Sequence, residues 1–229
     1  MNLAWLLAEM IGTFTLTFIG AGSICLNEMT HGGVGIVGIA MAHGLALAVM
    51  ISAVAPISGG KINPAVTLGL WIGGKVDTKT AIFEIIFQFA GAILGAWFLM
   101  LIFPESIAKA VNLGTPALGN GISAWVGVFA EAIATFLLIF TVYATLIDPR
   151  GTFKAIAGFG IGIVVLFDIL ALAGVTGAAM NPARAFGPAL VSMDFANQWV
   201  YWVGPILGGL LAGLFYSKVM MNPGVKERL

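Results

Sequence analysis

Apolar residues run along this chain in six stretches long enough to cross a bilayer as helices, at about 3–26, 33–55, 79–102, 122–147, 153–174 and 197–219. Two further apolar stretches have only about half that length. One opens at Asn63-Pro64-Ala65 and ends near Gly73, and the other opens at Asn181-Pro182-Ala183 and ends near Val191. Asn is a favoured N-cap, and Pro at the first helical position gives up an N–H that would have no partner there, so both phrases read as helix starts. Each follows a Gly-containing approach, Ser58-Gly59-Gly60-Lys61-Ile62 or Thr176-Gly177-Ala178-Ala179-Met180. Too short to span, the two segments predict re-entrant half-helices, and a pair of them implies a pore.

Composition places this pattern in a lipid bilayer. Of 229 residues, 60% are hydrophobic and 9% charged, far from the range of soluble globular domains, so the chain reads as an integral membrane protein. A net charge of zero argues against a nucleic-acid partner, and the lone Cys25 cannot form an internal disulfide. Met1-Asn2 passes directly into apolar sequence that Glu9 soon interrupts, which reads as a retained helix and not a cleaved signal. Lys61, Lys75, Lys79, Arg150, Lys154, Lys218, Lys226 and Arg228 fall on one side of the predicted topology and Lys109 on the other. This bias predicts cytoplasmic termini, with the first half-helix entering from the cytoplasm and the second from outside.

The two halves resemble each other. Ala8-Glu9 with Thr13-Phe14 is matched by Ala130-Glu131 with Thr135-Phe136, and Gly91-Ala92-Ile93-Leu94-Gly95 by Gly204-Pro205-Ile206-Leu207-Gly208. Three spans per half set the copies in opposite orientations, an inverted repeat of 1–103 and 122–221 with its site at the midplane. Segment 104–121, with Pro104, Pro116 and several Gly, reads as the loop between them. The fold class is an all-α membrane protein of six transmembrane helices and two re-entrant half-helices. Glycines four apart, as at Gly91/Gly95, Gly158/Gly162, Gly204/Gly208 and Gly209/Gly213, read as close helix contacts.

The sequence resembles the aquaporins of the major intrinsic protein superfamily over nearly its whole length. The likeness rests on the Glu near the start of each half, Ser58-Gly59-Gly60-Lys61-Ile62-Asn63-Pro64-Ala65-Val66-Thr67, Asn181-Pro182-Ala183-Arg184 and Trp202-Val203-Gly204-Pro205. It implies a single channel domain over 1–229. Half-helix N-termini meeting at the midplane would carry a doubled positive potential, and Asn63 and Asn181 would offer side-chain donors to passing water. Glu9 and Glu131, ionisable groups inside apolar helices, read as braces that accept N–H groups from the non-helical approaches; a proton relay is the sharper alternative.

The resemblance also implies a second constriction, carried over by spacing from the two Asn residues: His43, Ile169, Ala178 and Arg184. Arg184, whose counterpart in the first half is Val66, would repel cations and donate to water. His43 reads as a filter residue rather than a packed histidine, whereas His31 reads as solvated. The set differs from the Phe, His, Cys, Arg of strict water channels and looks closer to tonoplast-type plant channels, some of which pass ammonia. Ala185 stands where glycerol channels usually carry Asp, and Tyr201-Trp202 resembles the water-channel aromatic pair.

The expected function is a passive water channel that excludes ions and protons and also admits small neutral solutes such as ammonia. A neutral-solute facilitator for glycerol, ammonia or dissolved gas is the alternative. Asp168, beside Ile169, keeps a proton-coupled transporter in view and could pair with another helix, line a subunit interface or tune His43. No metal-ligand cluster and no nucleophile beside a base stands in the sequence, so neither enzyme activity nor a cofactor is expected. The resemblance implies a homotetramer with one pore per subunit. Short tails and loops point to a multi-pass protein of a prokaryotic plasma membrane, with a vacuolar membrane as the alternative that the tonoplast-like filter leaves open.

Overall fold

A computed structural model describes residues 2–151 and 154–221. Lys226 and Arg228, counted in the charge bias, lie outside them. Six of its helices are long and apolar enough to cross a membrane, with two short ones seated between them, and no strand occurs among the described residues. Helix α1 (Leu3–Met29) starts where the Asn2 side chain accepts the Ala4 N–H. Helix α2 (Gly35–Ser58) ends at Gly59, whose left-handed φ of 89° turns the chain inward. Half-helix α3 (Pro64–Ile72) leads back to α4 (Thr78–Ile102), which Asp77 caps through the Thr80 N–H.

Segment 104–121 departs from the expected loop, because it carries helix α5 (Glu105–Ala110) and a tight turn at Asn112–Gly114. Pro104 is the reason. Read as a breaker, it precedes a helix whose first-turn Glu105 pairs with last-turn Lys109 at 2.5 Å, each charge placed to favour the helix dipole.

Helix α6 (Ala124–Val142) continues in π-helical geometry over Tyr143–Ile147, and α7 (Ala157–Thr176) ends on left-handed Gly177. Half-helix α8 (Pro182–Ser192) and α9 (Val200–Phe215, extended by Tyr216–Met220) complete the chain. Beyond the α6 end, Asp148 accepts from Arg150 Nε (2.9 Å) and Nη2 (2.5 Å) and from the Tyr216 hydroxyl (3.2 Å). Arg150 also donates to the Met220 carbonyl (2.7 Å), tying the ends of α6 and α9 together.

Packing runs both within and between the halves. Helix α1 lies on α4, α2 on α7 and α6 on α9, while α3 lies against α9 and α8 against α4. Bare glycines make these approaches possible: a Cβ on Gly209 would stand 2.7 Å from the Ala65 carbonyl, and one on Gly95 2.9 Å from that of Phe14. Without a hydrophobic drive between helices in lipid, such backbone contact supplies the packing. The outer surface is correspondingly apolar, with Val49, Phe129 and Leu211 more than half exposed.

Candidate functional site

The waist of the molecule is where the two half-helices meet. The Asn63 Oδ1 caps α3 by accepting the Ala65 N–H (2.8 Å), and Asn181 Oδ1 caps α8 by accepting those of Ala183 (3.0 Å) and Arg184 (3.2 Å). Pro64 and Pro182 occupy the first helical positions, followed by fully buried Ala65 and Ala183. Each Asn then reaches across: Asn63 Nδ2 donates to the Met180 carbonyl (2.8 Å), and Asn181 Nδ2 to the Ile62 carbonyl (2.9 Å). One N–H of each amide is therefore engaged by the opposite approach, leaving the second for the cavity that both side chains line.

The approaches are held in unusual backbone conformations. Ile62 (φ 56°), Ala178 (φ 48°) and Met180 (φ 51°) are left-handed without being glycine, a strained state that persists only where the surroundings impose it. Two fully buried carboxylates do so. Glu9 Oε1 accepts from Ser58 Oγ (2.6 Å) and the Lys61 N–H (3.0 Å), and its Oε2 accepts from the Ile62 N–H (2.7 Å). Glu131 Oε1 accepts from Thr176 Oγ1 (2.7 Å) and the Ala179 N–H (2.9 Å), and its Oε2 from the Met180 N–H (2.7 Å). Apolar surroundings offer these backbone donors no other acceptor.

His43, Ile169, Ala178 and Arg184 line the same cavity as the two Asn side chains. His43 Nδ1 faces the Ile39 carbonyl (2.9 Å), which only accepts, so that nitrogen carries the proton. Its Nε2 then accepts from Arg184 Nη2 (2.9 Å) and Nε (3.3 Å), while Arg184 Nη1 donates to the Gly114 carbonyl (3.0 Å). Three of the five guanidinium N–H groups are thus held by protein, and the rest are free for the lumen. Ile169 and Ala178 add only apolar side chains to the lining.

Several participants escaped the sequence reading. Gly20 leaves the space that the His43 ring fills, since a Cβ there would lie 2.5 Å from Nε2, and Gly12 does the same for Ile62. Gln88 Nε2 bridges Glu9 Oε2 (2.8 Å) and Thr67 Oγ1 (3.0 Å). Lys61, read from sequence as part of the approach motif and as a topology charge, is buried against Glu84 at 2.7 Å. Gly20 and Gly12 carry no sequence signal beyond small size at one helix face, and the Glu84 and Gln88 contacts join residues too distant in the chain to read. Asp168 is buried, its Oδ2 has no partner, and it does not border the cavity; the nitrogens of His43 are taken by Ile39 and Arg184 instead. His31 is exposed.

Residues 2–216 match the model of the family described as "Major intrinsic protein". The chain is similar to aquaporin TIP4-4 of Zea mays (44% identical, covering 97% of this chain and 89% of the relative). It is also similar to aquaporin TIP2-3 of Arabidopsis thaliana (44%, covering 94% and 87%). Among solved structures it resembles the aquaglyceroporin from Plasmodium falciparum, with a TM-score of 0.84, 26% identity and coverage of 95% and 96%. These plant TIP relatives overturn the prokaryotic plasma membrane expected from short tails and loops, a feature that does not discriminate between membranes. The six apolar helices support a multi-pass membrane protein.

Proposed function

This chain belongs to the major intrinsic protein family, whose members are passive membrane channels, and we propose that it conducts water through the waist between Asn63 and Asn181. It is a channel and not an enzyme. The observation that carries the reading is that both Asn amides and the set His43, Ile169, Ala178, Arg184 line one cavity. Pro64, Ala65, Pro182 and Ala183 serve as the turns that aim the half-helix N-termini at the midplane, each with about half a positive charge. A water passing there offers its oxygen to the remaining Asn N–H groups, and a cation meets both dipoles and Arg184.

Glu9 and Glu131 act as braces in this account, holding the strained approaches by the bonds described above. Asp168, the group that kept a coupled carrier in view, does not border this cavity. The inverted repeat of 1–103 and 122–221, joined through 104–121, supplies the matched geometry, and a homotetramer with one pore per subunit is the assembly that the family suggests.

Ile169 and Ala178 favour an additional reading, passage of small neutral solutes such as ammonia, because an apolar wall asks less of a solute's hydrogen bonding. Solute uptake by vesicles carrying the full chain tests this. Ammonia entry above that of empty vesicles with no gain in glycerol entry supports it, whereas equal ammonia entry with and without protein removes it.

A further inference from the structure

We propose that Lys61 is a second selectivity residue of this channel, an ammonium fixed at the mouth opposite Arg184, and that Glu84 is the positioning residue that holds it. The inference rests on the channel reading above.

Lys61 stands two residues before Asn63 in the approach to α3, and Arg184 three residues after Asn181 in α8. The first approach comes from the face bearing Trp5 and Asp77, whereas α8 leads from the waist toward the Asn112–Gly114 turn, whose Gly114 holds Arg184. The two cations therefore lie on opposite sides of the Asn pair. Lys61 borders both the waist cavity and a groove opening at that face beside Trp5, Ser58, Asp77 and Ile147. Glu84 borders neither and is fully buried on α4. Ser58 and Trp5, which contact the ammonium, line that groove, so the charge stands at the groove with Glu84 behind it.

The ammonium is held from several sides. Lys61 Nζ donates to the Ser58 carbonyl (2.6 Å) and to Glu84 Oε1 (2.7 Å), and Trp5 Nε1 donates to that same oxygen (2.6 Å). The Trp5 ring lies 5.3 Å from Nζ, and a Cβ on Gly59 would stand 3.1 Å from it. An ammonium has three N–H groups, so one is left for water.

Holding the loop does not require this charge. Ala179, at the matched position of the second approach, gives its N–H to Glu131 just as Lys61 gives its own to Glu9, with no cation attached. A buried ion pair is at best comparable to apolar packing in stability, and Glu84 Oε2 is left without a partner. What the charge adds is field. A cation entering from this face meets an ammonium before it reaches the half-helix termini.

The test uses the full chain in proteoliposomes, reading osmotic water flux and, on the same vesicles, dye-reported proton and sodium entry under an imposed potential. E84Q leaves the ammonium unheld, so water flux falls; K61M in that background restores water flux while ion entry per unit water flux rises about tenfold above wild type. E84D, which keeps the carboxylate, recovers the wild-type ratio. A merely structural pair would show accumulating losses without reversal. Should the double variant not fold, K61R against K61Q decides, because only K61Q should leak. The proposal is overturned if a folded, water-conducting variant without the Lys61 charge excludes ions as well as wild type. If wild type conducts no water, the channel reading itself fails; if it conducts and the neutral variants do not leak, only this inference fails.

Discussion

Asn63 and Asn181 each donate a side-chain N–H to the carbonyl of the residue that precedes the other, at 2.8 Å to Met180 and 2.9 Å to Ile62. The two caps thereby form one reciprocal clasp, and each half-helix depends on the other for its position. N63A removes a cap worth about 0.5–2 kcal/mol and strands a buried carbonyl at a further cost of about 1–3 kcal/mol. Thermal unfolding in detergent should show N63A and N181A each well below wild type, with the double variant less than additive. Full additivity would deny the clasp.

Glu131 accepts two backbone N–H groups and one hydroxyl around left-handed Met180. E131Q keeps one acceptor and turns an amide N–H₂ toward those donors, losing charge-assisted bonds of about 1.5–3 kcal/mol each. Its unfolding midpoint should fall markedly, and E9Q should behave alike. Unchanged midpoints would remove the bracing role.

Gly20 sits under the His43 ring, where an added methyl would overlap it. G20A should cost about 1–3 kcal/mol by overpacking and push His43 off Arg184. The expected result is a several-fold loss of water permeability, whereas H43A should admit larger solutes. Wild-type flux and solute cutoff in both variants would place His43 outside the filter.

The Arg150 guanidinium and backbone N–H lower the Asp148 carboxyl from 3.8 to about 2. A depressed carboxylate stabilises the fold fully above its ordinary value and loses that contribution as pH falls through the lowered one. Across about pH 5–8 this anchor should leave stability flat, and D148N should lower it throughout that range. A wild-type stability that declines toward pH 5 together with an insensitive D148N would contradict the assignment.

The spans and the two half-helices were legible because length and apolarity are local, as were the caps, which need only Asn followed by Pro. Glu9 and Glu131 stood out because a charge in an apolar helix is costly. Less could be read where the signal lies in the partner. Nothing near Gln88 shows that it meets Glu9, 79 residues away, and nothing near Gly20 shows that it shelters His43. The left-handed Ile62, Ala178 and Met180 run against the usual preference for glycine, so strain imposed by distant carboxylates stayed hidden. Pro104 misled because the same residue can break a chain segment or start a helix.

The most direct test of the central claim is stopped-flow light scattering of proteoliposomes carrying the full chain under an osmotic gradient. A water pore predicts shrinkage much faster than in empty vesicles, with weak temperature dependence and no response to an imposed pH gradient. Shrinkage no faster than in empty vesicles, or flux that follows the pH gradient, would contradict it.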